Sequence, residues 1–181
     1  MQKTTPLIKQ LSSLKLLSGS GRVLDLGVGK GEDSTVLAEM GYDVEAVDRD
    51  PKLSEEDLKS PRIQVVKEDI LNFQIEPNKY AIIIAKNVLP FLNTPEDVFT
   101  ILSRMSDGAQ SRGIIYFTLF GPRDGWRGSK NMSFIEYEDA VSFINSLPLE
   151  IQHMSTEEGY GLKMDGEIKY WHIHKFLCLK K

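Results

Sequence analysis

The chain has 181 residues, 41% of them hydrophobic and 27% charged, with a formal net charge of −4. One domain of this size can bury a core without metal or disulfide support, and so ordinary a composition excludes a disordered or low-complexity chain. The acidic balance speaks against a tight nucleic-acid binder, which needs a basic face to neutralise phosphates, and the single cysteine, Cys178, excludes an internal disulfide and suits a reducing, cytoplasmic compartment.

The first residues, Met1-Gln2-Lys3-Thr4-Thr5-Pro6, carry no signal-peptide pattern. No later apolar run is long enough to span a bilayer. Leu7, Ile8, Leu11, Leu14, Leu16 and Leu17 recur at roughly helical spacing and predict an amphipathic helix within residues 1–20. Arg22 to Leu26 reads as a short apolar strand running straight into a glycine-rich turn. A helix over Asp33 to Met40 follows, ended by Gly41. Asp43 to Asp48 is a second strand, Pro51 to Leu58 a short acidic helix stopped by Pro61, and Ile63 to Val66 a third strand.

Tyr80 to Ala85 is apolar throughout, as befits a central strand covered on both faces. Pro95 opens a helix to Met105, and Gly113 to Phe120 forms a fifth strand. A polar loop, 121–133, then leads to a helix over Glu136 to Leu147. Two strands, Glu150 to Met154 and Tyr170 to Leu179, end the chain, with a turn-rich stretch between them that holds Gly159, Gly161 and Asp165-Gly166. Strands alternating with helices predict a parallel sheet with helices on both faces. The last two strands lack an intervening helix and should pair antiparallel at one edge. In such sheets ligands sit at the carboxyl ends of the strands, where strand order reverses.

The turn Gly27-Val28-Gly29-Lys30-Gly31-Glu32 lies at such an end. Glycines there let the backbone take positive φ and approach a ligand closely. A dinucleotide fingerprint wants G-x-G-x-x-G; here Gly31 comes one residue early and Glu32 takes the third glycine's place, where a carboxylate would repel a pyrophosphate. The phosphate-loop pattern is absent too. Asp25, two residues before the turn, suits a cationic group, and S-adenosylmethionine offers an ammonium and no phosphate. Asp48 ends the second strand roughly 20 residues on, where an acid accepts from ribose hydroxyls. Asp69 could receive an adenine amino group, with Ile70 against the ring. Asn87-Val88-Leu89, after the fourth strand, would line the methyl-transfer centre.

Through Val23–Gly31, Val44–Asp48, Val66–Ile70 and Tyr80–Leu92 the chain resembles the class I S-adenosylmethionine-dependent methyltransferases. Within them it is similar to the tellurite-resistance, TehB-like, enzymes. That closer resemblance rests on the compact length, the brief link between third and fourth strands, and the tail Gly161-Leu162-Lys163-Met164-Asp165-Gly166 running to Trp171-His172-Ile173-His174. The resemblance implies one Rossmann-like α/β domain over 1–181, with a seven-stranded, mostly parallel sheet, a cofactor half at 22–110 and a substrate-side half at 111–181. It implies a cofactor set of Asp25, Gly27, Gly29, Gly31, Asp48, Arg49, Asp69, Ile70, Asn87 and Val88.

For the acceptor, Arg123, Trp126 and Arg127 sit in a loop placed like a lid. Two guanidiniums could clasp an oxyanion there, or be solvated loop charge. His172 and His174 share one face of their strand. They could bind an anionic substrate or a metal, or be ordinary strand residues; no third ligand with suitable spacing stands out beyond His153 on the neighbouring strand. No metal is expected. The sequence Asn87-Val88-Leu89-Pro90 departs from the Asn-Pro-Pro-aromatic signature of enzymes that methylate planar nitrogens. No side chain stands out as a general base, which fits a small, soft acceptor such as a thiol or a chalcogen oxyanion. The alternatives are methylation of a protein or tRNA, and a module that binds the cofactor without catalysis. A nicotinamide-dependent dehydrogenase is disfavoured by the glycine spacing.

Overall fold

The structure is a computed structural model, which describes residues 4–128, 131–163 and 165–181. Met1 to Lys3 of the expected N-terminal helical region (1–20), Ser129 and Lys130 of the 121–133 loop, and Met164 of the tail lie outside the described residues.

Helix α1 spans Pro6–Ser13, with the Thr5 hydroxyl accepting from the Ile8 N–H at 3.3 Å. It stops before Leu14, earlier than the leucine spacing suggests. Lys15 turns the chain at φ +55°, and Leu16 and Leu17 pack on the core from beyond the helix end. Strand β1 (Arg22–Leu26), helix α2 (Glu32–Glu39) and strand β2 (Asp43–Asp48) follow. Helix α3 is only Glu55–Leu58. Its cap is Ser54, which accepts from the Asp57 N–H at 3.1 Å, and Lys52 upstream is held by the Gly29 carbonyl at 2.8 Å. Pro51 to Leu53 is therefore a connection rather than the start of a helix.

Strands β3 (Ile63–Lys67) and β4 (Tyr80–Ala85) lead to a single 3-10 turn at Leu89–Phe91. Helix α4 (Pro95–Gly108) combines a Thr94 cap, a proline in its first turn and a buried stripe of Val98, Ile101, Leu102 and Met105. It runs three residues beyond the expected end. Strand β5 (Ala109–Phe120) starts earlier than Gly113, because Ala109 already pairs with Tyr80 before a register shift. Helix α5 (Tyr137–Ser146) then leads to two long strands, β6 (Leu149–Leu162) and β7 (Ile168–Lys180).

The sheet order is β3-β2-β1-β4-β5-β7-β6. The first five strands are mutually parallel, and β7 is antiparallel to both β5 and β6. One face packs Leu24, Leu26 and Ile83 against α4 and α5. The other packs Val23, Ile82 and Ile84 against α1 and α2. This is the expected α/β architecture with its antiparallel edge pair. The stretch read as turn-rich is different: Gly159 pairs with Trp171 and Gly161 with Lys169, so the β6–β7 ladder continues to Leu162 and Ile168. Backbone pairing carries this outer half of the hairpin, whose Tyr160, Leu162 and Ile168 are exposed. Among the described residues of this stretch, Asp165-Gly166 makes the turn, with Gly166 at φ +86°. Among the described residues no helix is long and apolar enough to cross a membrane. Because β1 and β4 are neighbours but not consecutive, strand order reverses between them, and the turns after both open side by side.

Candidate functional site

The glycine turn is pinned to β2. The Gly27 and Val28 N–H groups both donate to the Val47 carbonyl, at 2.7 and 3.2 Å. Gly27 has φ +73°, and a Cβ there would stand 2.4 Å from the Val88 side chain. Only glycine lets the two turns lie this close. Gly29 has φ +53°, a Cβ there would stand 4.0 Å from the Gly27 carbonyl oxygen, and its N–H donates to Asp48 Oδ2 at 2.9 Å. Asp48 Oδ1 accepts from the Asp50 N–H at 2.9 Å. Both carboxylate oxygens are thus held by backbone donors, with further lone pairs facing a cleft.

That cleft has a volume of about 300 Å³. Of the expected cofactor residues, Gly27, Gly29, Asp48, Arg49, Asp69, Ile70, Asn87 and Val88 line it, joined by Leu71, Phe91, Leu92 and Asn93. Arg49 lies 3.6 Å from Asp69 Oδ2, and Asp69 Oδ1 accepts from the Leu71 N–H at 2.9 Å. Gly31 is not on the wall; it caps α2 in the left-handed conformation.

Asp25 also lies off the wall. It is 5% exposed, beneath the turn, and accepts from the Ser34 hydroxyl at 2.6 Å. Burial pushes its carboxyl up to about 7, against the pull of the Ser34 hydrogen bond, and neighbouring Asp33 adds to the rise. Asp33 is itself buried, paired with Lys86 and bonded by the Thr5 hydroxyl that caps α1. Nothing in the local sequence marks this link between α1, α2 and the end of β4.

A second cavity, about 710 Å³, adjoins the first, and Asn87 and Phe91 border both. Phe91, Phe120, Trp126 and Trp171 give it an aromatic wall. Of the acceptor candidates, Trp126 lines this cavity and the other four do not. Arg123 is engaged by Glu158, its Nε 2.7 Å from Oε1. Arg127 lines a separate groove with Pro95, Phe99 and Phe134.

His172 and His174 share a face with Phe176 and Cys178, which pack in the α4–α5 core, and neither lines either cavity. His172 Nδ1 accepts from the Arg123 N–H at 3.0 Å, leaving Nε2 to carry the hydrogen toward Glu158 Oε1 at 3.1 Å. His174, 5.5 Å from the Tyr137 ring, meets the Thr156 hydroxyl at 2.8 Å, and burial, with His172 beside it, brings its pKa down to about 4. His153 sits on the exposed outer strand. No metal-binding cluster forms among the described residues.

Behind the aromatic wall lies a feature that local sequence could not signal. Lys169 and Asp124 form a buried ion pair. The Lys169 ammonium stands 3.9 Å from the Trp171 ring centroid and 4.2 Å from that of Trp126. Asp124 also accepts from the Trp126 and His172 N–H groups, at 3.0 and 3.1 Å.

The family model described as tellurite resistance protein TehB matches residues 3–118. No curated protein matches the chain in sequence. The structure of TehB from Haemophilus influenzae superposes with a TM-score of 0.76 at 22% identity, over 96% of this chain and 62% of that one, so the chain spans less than two thirds of that relative. An S-adenosylmethionine-dependent methyltransferase from Methanosarcina mazei superposes with a TM-score of 0.70 at 16% identity, over 98% of each chain. The 1,6-didemethyltoxoflavin-N1-methyltransferase of Burkholderia thailandensis, whose structure holds 1,6-didemethyltoxoflavin and S-adenosylhomocysteine, superposes with a TM-score of 0.69 at 15% identity, over 94% of this chain and 74% of that one. The chain belongs to the TehB family and has the fold of the S-adenosylmethionine-dependent methyltransferases.

Proposed function

We propose that the protein is an S-adenosylmethionine-dependent methyltransferase acting on a small molecule. The observation that carries this reading is the Asp48 carboxylate, fixed by the Gly29 and Asp50 N–H groups at the rim of a cleft whose other acidic side chain is Asp69. Fixed carboxylates accept hydroxyl and amino hydrogens and repel phosphate, so the donor set fits a phosphate-free nucleoside. Asp48 would hold ribose hydroxyls, Asp69 the adenine amino group, Ile70 and Val88 the apolar faces, and Gly29 the closest backbone approach. Asp25 would act from beneath the turn, and Arg49 by holding Asp69. In this division residues 22–110 hold the cofactor and 111–181 supply most of the acceptor wall.

When bound, the sulfonium supplies the methyl group. The chain's task is alignment: Asn87 and Phe91, at the junction of the two cavities, set where an acceptor meets that group. Among the described residues neither cavity wall holds a histidine, and Glu157, Glu158 and Asp165 border the larger cavity, so the acceptor class stays open here, a thiol or a chalcogen oxyanion being the acceptors that need least help losing a proton. The single, buried Cys178 suits work in the cytoplasm.

Calorimetric titration with S-adenosylhomocysteine tests the reading. Binding is expected, with Asp48→Ala weakening it about 10- to 100-fold, the loss of charge-assisted hydrogen bonds of about 1.5–3 kcal/mol. Preferential binding of a nicotinamide dinucleotide would overturn it.

A further inference from the structure

We propose that the larger cavity takes an uncharged, flat, mainly apolar acceptor, a one- or two-ring molecule carrying its nucleophilic atom at an edge, rather than a bare chalcogen oxyanion. This rests on reading the adjoining cleft as the cofactor site, and it narrows the acceptor class left open above.

Three observations carry it. The first is size and lining. A cavity of about 710 Å³ walled by Phe91, Phe120, Trp126 and Trp171 has the dimensions and surface of a site for a drug-sized apolar ligand. An oxyanion of a few atoms would leave most of that wall in water.

The second is order. Trp126 meets Trp171 at 5.4 Å between centroids, Phe120 at 5.9 Å and Phe91 at 6.0 Å, each tilted or edge-on. The rings brace one another in favourable geometry, and the Lys169 ammonium behind them holds both indoles. A preformed aromatic slot favours a rigid, flat guest.

The third is charge. Among the described residues, each cation that reaches this cavity or its wall already has a carboxylate. Lys163 lies 3.0 Å from Asp165, Lys169 is paired with Asp124, and Arg123 with Glu158. Drawing an anion in would mean breaking one of these pairs and leaving a carboxylate uncompensated. An uncharged guest requires no such break.

The chain's only two tryptophans, Trp126 and Trp171, both line the cavity, so their emission reports occupancy without turnover. Protein saturated with S-adenosylhomocysteine, its saturation confirmed by calorimetry, would be titrated with isoquinoline, isoquinoline-1-carboxylate and sodium selenite. The expected result is a saturable emission change with isoquinoline and at least tenfold weaker responses to the two anions. Trp126→Ala should weaken isoquinoline binding at least fivefold, read from Trp171, with S-adenosylhomocysteine affinity unchanged. The milder Trp171→Phe, read from Trp126, serves if the first variant does not fold. Selenite or the carboxylate binding as tightly as isoquinoline, or no saturable isoquinoline response in protein that binds S-adenosylhomocysteine, overturns this inference alone. Failure to bind S-adenosylhomocysteine overturns the cofactor reading and this inference with it.

Discussion

The Thr118 hydroxyl makes two hydrogen bonds to one residue: it accepts from the Asn87 N–H at 2.8 Å and donates to Asn87 Oδ1 at 3.1 Å. Asn87 needs this support because it turns the chain after β4 at φ +57°, a conformation few side chains adopt. It also borders both cavities, so a side chain on β5 sets the geometry of the junction. Thr118→Val keeps the shape and removes both bonds. It should cost about 0.5–1.5 kcal/mol in urea unfolding, the net worth of a hydrogen bond lost at a part-buried site, and lower kcat with S-adenosylhomocysteine affinity unchanged. A variant with unchanged stability and kcat would show that Asn87 holds its conformation unaided.

Gly27→Ala tests the close approach of the two turns. Its Cβ would stand 2.4 Å from Val88 Cβ and Cγ2, far inside contact distance, at a φ of +73°. Overpacking of this kind costs about 1–3 kcal/mol, and Val88 can only retreat toward the cleft it lines. Lower stability should therefore accompany weaker S-adenosylhomocysteine binding. Gly29→Ala brings its Cβ no closer than 4.0 Å to a neighbour, the Gly27 carbonyl oxygen, so only the φ of +53° weighs on the fold, and it should lose binding with less loss of stability. Equal stability losses in the two variants would contradict this division of roles.

How much of this was legible in sequence follows from how local each signal is. The glycine turn, Asp48, Asp69-Ile70 and Asn87-Val88 each sit at the end of an apolar run, and parallel strands bring such ends to one edge, so pattern alone assembles the cleft. The aromatic wall is different. Phe91, Phe120, Trp126 and Trp171 come from four separate segments and meet only because β7 inserts between β5 and β6. Arg123 and His172 looked like ligand-binding groups because nothing near them in sequence announces Glu158, which engages both. Asp25 reads in sequence as a carboxylate suited to a cationic group, and only α2 folding back over it shows that it is buried beneath the turn.

That burial has a pH signature. The Asp25 carboxyl rises from 3.8 to about 7 in the folded protein. Between those values the folded state binds more proton than the unfolded state, so this residue makes stability fall as pH rises through roughly 4 to 7. Below that window the penalty is absent; above it the penalty is complete. Asp25→Asn keeps an acceptor for Ser34 and abolishes the titration. The variant and parent should be similarly stable at pH 4, and the variant more stable at pH 8, by a few kcal/mol at about 1.4 kcal/mol per pH unit. Urea unfolding at both pH values measures this. A difference that does not change between pH 4 and 8 would mean that Asp25 ionises freely in place.

The Lys169–Asp124 pair raises the opposite question, whether a buried charge stabilises the fold or only compensates its partner. Lys169→Met leaves Asp124 buried and accepting two N–H groups with no cation, and removes the charge shared by the two indoles. Such a break should cost about 3–5 kcal/mol. Lys169→Met with Asp124→Asn leaves a neutral amide whose oxygen can still serve the Trp126 and His172 N–H groups. The double variant should recover most of the loss, because a buried ion pair contributes little beyond a well-packed neutral replacement. Whatever deficit remains then belongs to the lost contact between the ammonium and the rings, which at a desolvated site is about 2 kcal/mol. Near-ultraviolet circular dichroism of the two tryptophans would register whether the wall keeps its geometry. If the double variant stays as unstable as the single one, the pair itself, rather than the stranded carboxylate, holds the aromatic wall in place.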